Sequence, residues 1–103
     1  MSEAFQTEQE PDMNESCRQI VAAIREMPRE AFLERIFRPI AKSPRFSELA
    51  TFGAETLPEE EREALWLALR KAGVPAPSQT LRREPEALNA AAAAITARAA
   101  ALL

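Results

Sequence analysis

Apolar residues recur along this chain at steps of three and four, and prolines and capping side chains fence each run. Met13, Cys17, Ile20, Ile24 and Met27 follow one another in this way, with Val21 widening the stripe. That period predicts an amphipathic helix over 13–27. Asp12 and Glu15 have the spacing of a capping box at its start. Pro28 ends that helix and can open the next. A second helix is predicted over 29–38, with Phe32, Leu33, Ile36 and Phe37 apolar. Pro39 is expected to kink or break it before a short continuation through Ile40 and Ala41. Ser43 followed by Pro44 signals a third helix over 44–52, with Phe46, Leu49 and Phe52 facing inward and Gly53 closing it.

Thr56 and Glu59 have capping-box spacing and predict the start of the clearest helix. Glu59, Glu60 and Glu61 suit its positive N-terminal end; Arg70 and Lys71 suit its negative C-terminal end. Gly73, Pro75 and Pro77 end it. Leu65, Trp66, Leu67, Ala68 and Leu69 are consecutive apolar residues, so this helix is either central or has one side in an interface. From Pro85 a last helix is predicted, its narrow seam Leu88, Ala92, Ile95, Ala99 and Leu102 filled largely by alanine. Strand-like runs of β-branched and aromatic residues are missing. The expected fold is all-α: a small bundle of three to five helices. It is divided into a loose, disordered acidic tail (1–11), a helical core (12–73), a proline-containing linker (74–84) and an alanine-rich C-terminal helix (85–103).

Composition narrows the chemistry. The 103 residues are 47% hydrophobic and 28% charged, enough for one small core. Net charge is −3, but residues 1–15 carry −5 and residues 16–48 carry +3. The body is therefore nearly neutral behind an acidic tail. Histidine is absent, which removes the usual proton carrier near neutral pH and the commonest neutral metal ligand. Cys17 is alone, without the basic partner that would activate a thiol. Glu59, Glu60, Glu61 and Glu63 diverge around a helix and do not converge on one ion. There is no phosphate-cradling glycine loop and no nucleophile elbow. An enzyme is therefore a remote alternative, and no metal or cofactor is expected. With no signal peptide pattern and no apolar run long enough to span a bilayer, the expected location is the cytoplasm, away from membranes. The abundance of arginine and alanine resembles that of GC-rich bacterial and phage genes.

By elimination the expected function is non-enzymatic protein–protein interaction: an adaptor, a small subunit of an assembly, or a regulator or inhibitor of a larger partner. Candidate interface residues are Leu65, Trp66 and Leu69, although core burial is the favoured fate of Trp66. The seam of Leu88, Ile95 and Leu102 is the second candidate and could also join two copies of the chain. A further constellation is Arg35, Arg38, Lys42 and Arg45, whose spacing puts all four on one face of a continuous helix. Such a stripe can hold phosphates or an acidic partner, so the alternative function is a nucleic-acid-associated helical protein. A helix-turn-helix reading of Phe46 to Phe52, Gly53 and the helix after Thr56 is disfavoured because Glu59, Glu60, Glu61 and Glu63 would begin the recognition helix.

Overall fold

The computed structural model describes residues 13–78, 82 and 84–102. They form five α-helices and no strand. These are α1 (Met13–Glu26), α2 (Arg29–Phe32), α3 (Pro44–Phe52), α4 (Glu59–Lys71) and α5 (Pro85–Leu102). A π-helical segment (Leu33–Ala41) continues α2, and a 3-10 turn (Ala54–Thr56) follows α3. The all-α expectation holds. Residues 1–11 and Asp12, with the tail and the first capping box assigned to them, lie outside the described residues.

Pro39 does not break its helix. In an α-helix its ring would strike the carbonyl four residues back. The chain instead widens into π geometry, closed where the Lys42 N–H donates to the Phe37 carbonyl at 3.2 Å, five residues earlier. Phe32, Ile36 and Ile40 all reach the core from this continuous rod. Ser43 then caps α3 as its sequence implies: its Oγ accepts from the Phe46 N–H at 3.2 Å and donates to the Ile40 carbonyl at 2.8 Å.

Two other expectations fail. Phe52 is 66% exposed rather than inward, because it stands about 90° around α3 from the face that buries Phe46 and Leu49. Thr56 does not cap α4. It lies in the 3-10 turn, where its hydroxyl donates to the Gly53 carbonyl at 2.9 Å. Pro58 takes the cap position, and burial of Leu57 fixes the chain just before it. At the far end of α4, the Gly73 N–H donates to the Arg70 carbonyl and the Val74 N–H to the Leu69 carbonyl. This is a Schellman closure, and it requires the positive φ of Gly73, +104°. Val74 and Pro77 are buried, so the first residues of the expected linker are packed onto the body.

α5 is the element around which the others gather. It packs most extensively on α1, then on α3, the π segment and the 3-10 turn. Ala87, Leu88, Ala91, Ala92 and Ile95 are buried along its inner side. Three of these five positions are alanine, which lets several helices approach one axis closely. α1 and α5 run parallel: Glu86 faces Cys17 near their starts, and Arg98 reaches Ile24 near their ends. On the other side, the Asn89 side-chain carbonyl accepts from the Ala54 N–H at 2.8 Å and ties the 3-10 turn to α5.

Candidate functional site

The first interface candidates are core residues. Trp66 is 1% exposed, and Leu65 and Leu69 are buried with it. Leu88 and Ile95 are buried as well; Leu102 is half-buried and packs on the same core. α4 turns Leu65, Trp66 and Leu69 inward and leaves Leu67 out, 53% exposed. Trp66 therefore takes its favoured fate, core burial, and Leu65, Leu69, Leu88 and Ile95 move with it from interface candidates to core residues.

The basic stripe stays on the surface but is divided. Arg38 pairs with Glu34 at 3.7 Å and Arg45 with Glu61 at 3.5 Å. Lys42 stands 5.3 Å over the Phe37 ring. Arg35 pairs with no described residue and lines a shallow cleft with Lys71 from the end of α4. The stripe is thus not one continuous run of free cations. Glutamates on α4 are engaged in the same way: Glu61 meets Arg45, and Glu63 meets Arg82 at 3.5 Å. Among the described residues, no group of three or more metal-ligating side chains converges. No described helix is long and apolar enough to cross a membrane. Burial pushes the Cys17 thiol above its ordinary pKa, and the Glu86 carboxylate adds to the shift. Cys17 is therefore a neutral, half-buried thiol at physiological pH and a poor nucleophile.

What sequence reading missed is the outer side of α5. Ala93 and Ala97 are exposed there, four residues apart, and Ala101 follows at the same step. A groove of about 590 Å³ flanks this ridge on the α1 side, walled by Val21, Arg25, Ala90 and Ala94. A second, of about 500 Å³, flanks it on the α3 side, walled by Leu49, Ala50, Gly53 and Thr96. Among the described residues, the charged ones lining the two grooves are Arg25 and Arg98. Arg98 is committed: it donates to the Ile24 carbonyl at 2.6 Å and lies 4.9 Å over the Phe32 ring. Arg25 is exposed and pairs with no described residue. The clue in the sequence was the alanine run itself, in which helix propensity and a close-packing face look alike. No family model matches the chain, and neither a curated protein nor a solved structure does.

Proposed function

We propose that the chain is a non-catalytic protein-binding module that receives an amphipathic helix of a larger partner across the outer face of α5. The observation that carries this reading is the exposed ridge of Ala93, Ala97 and Ala101 with a groove on each side. Small residues at steps of four let a second helix approach closely, and grooves beside a ridge accept the partner's larger side chains. Charge favours one kind of occupant. Arg25 at the rim pairs with no described residue, so the incoming helix carries acidic residues beside its apolar stripe. A second copy of this chain would bring another Arg25 and a second uncharged alanine ridge, a weaker match. The nucleic-acid alternative draws less support, because two of the four stripe cations are already paired within the fold.

A photo-crosslinking residue at position 97, in protein returned to the cells that make it, tests this. The expected product joins position 97 to an acidic amphipathic helix of another protein, is lost with Arg25→Glu, and does not form from a probe at position 67. Crosslinks to a second copy of this chain, or equal capture from position 67, would refute the reading.

A further inference from the structure

A second surface feature, independent of α5, lies between the π segment and the C-terminal end of α4. Arg35, Pro39 and Ile40 line it from one side of the chain; Ala68, Lys71 and Ala72 line it from the other. Its volume is about 260 Å³, below the ~300–1,000 Å³ of pockets that enclose drug-sized ligands. Ile40 and Ala72 are buried and give an apolar floor. Arg35 and Lys71 are exposed at its rim, and neither makes an ion pair with a described residue. Two nearby carboxylates are engaged with other cations: Glu34 with Arg38, and Glu61 with Arg45. No acidic residue among those described lines the cleft.

The local backbone explains why these groups meet. Extended π-helix is rare and is concentrated at functional sites. Here it carries Pro39 without a break, and so delivers Arg35, Pro39 and Ile40 together to the end of α4. At that end the Schellman closure uses the Gly73 and Val74 N–H groups internally. The cleft therefore lacks the row of free backbone N–H donors that captures a chain-terminal carboxylate or a phosphate. What remains is two side-chain cations over an aliphatic floor.

We propose that this cleft binds an acidic side chain flanked by aliphatic residues in a protein segment, with Arg35 and Lys71 holding the carboxylate and Ile40, Ala68 and Ala72 receiving the neighbouring side chain. Phosphodiester backbone is the poorer ligand. A nucleic acid needs a continuous track of free cations, and no aromatic residue lines the cleft to stack a base.

Methyl NMR of the full chain tests the proposal with a defined probe, an N-acetylated, C-amidated Leu-Glu-Leu tripeptide. The expected result is saturable shifts at the Ile40, Ala68 and Ala72 methyls with a Kd of ~1 mM, as suits so small a ligand. Binding should weaken at least ~10-fold with Arg35→Glu plus Lys71→Glu, the loss expected when attraction becomes repulsion. It should weaken similarly when Gln replaces Glu in the probe, a test that leaves the protein unaltered. Glu34→Gln, which frees Arg38 but does not touch the cleft, should leave binding unchanged. Absence of shifts, equal binding of the Gln probe, or saturation of the same methyls by a short oligothymidylate at lower concentration would each overturn it. None of these outcomes bears on the α5 face.

Discussion

Removing Arg98 isolates the tie between the two ends of the chain. Its guanidinium donates to the Ile24 carbonyl at 2.6 Å, one of the last four carbonyls of α1, which no α1 N–H can reach. The same group stands 4.9 Å over the Phe32 ring at the start of the next rod. A hydrogen bond from a charged donor contributes about 1.5–3 kcal/mol when it is well sheltered, and a cation over a ring adds about 0.5–1 kcal/mol at a partly exposed site. Because Arg98 is half-buried, the lower parts of both ranges apply, and Arg98→Ala should cost about 2 kcal/mol. Helix propensity runs the other way and is small, since alanine is the better helix former. A net loss must therefore come from the tertiary contacts. For a domain of this size the melting temperature should fall by ~10 °C. Urea unfolding followed by Trp66 emission measures the loss, with an unchanged denaturant slope as the sign of a native-state effect. Arg98→Lys keeps the charge but not the planar stack, and should lose about half as much. Pairing each variant with Phe32→Leu should show a coupling of about 0.5–1 kcal/mol for the ring contact alone. Stability of Arg98→Ala within ~0.5 kcal/mol of the parent, the usual range for an idle surface position, would refute the assignment.

Other expectations follow from single groups. The Trp66 indole N–H is buried without an acceptor among the described residues; Trp66→Phe sheds that penalty and should cost ~1 kcal/mol in denaturant unfolding, against ~4 kcal/mol for Trp66→Ala. Gly73 sits at φ +104° with open space around an added Cβ, so Gly73→Ala should lose about 1 kcal/mol from backbone strain alone, read as a lower melting temperature. Cys17 has a thiol pKa raised above 9.0 in the fold. The native state thus holds its proton longer than the unfolded chain does. Its contribution is complete below the unfolded thiol pKa and is lost as pH rises through the folded value. Melting temperature between pH 8 and pH 11 should fall less steeply in Cys17→Ala than in the parent.

The helices were legible because their determinants are local. Ser43 before Pro44, Gly73 before Pro75, and the stripe of Ile20 and Ile24 each act within one or two turns, and each appears where the sequence places it. The failures share a cause that is not local. Of the kink or break expected at Pro39 the break does not occur, because burial of Phe32, Ile36 and Ile40 on one core face holds the rod together and makes the wider π turn the cheaper solution. Thr56 had the right spacing for a cap, but Leu57 is drawn into the core and moves the helix start to Glu59. Burial of Trp66, the favoured reading of the sequence, holds, but which neighbours turn inward with it depends on where the π segment and α5 lie. The Arg35 and Lys71 cleft was invisible for the same reason, its two cations standing 36 positions apart.

The alanines of α5 do two jobs that can be separated. On the inner side, Ala87, Ala91 and Ala92 are small because α1 and α3 crowd the same axis; any larger side chain there would push the helices apart. On the outer side no such crowding exists, and Ala93 and Ala97 stand exposed. Helix propensity alone would account for alanine at those positions, but glutamate and lysine are nearly as good helix formers and are the usual choice for a wet surface. The two explanations diverge under substitution. If propensity is the whole reason, Ala93→Lys and Ala97→Glu should leave both stability and association unchanged. If the ridge is a docking surface, stability should stay within ~0.5 kcal/mol while capture of the partner helix falls by at least ~10-fold, because a charged side chain then stands in the plane where two helices must meet.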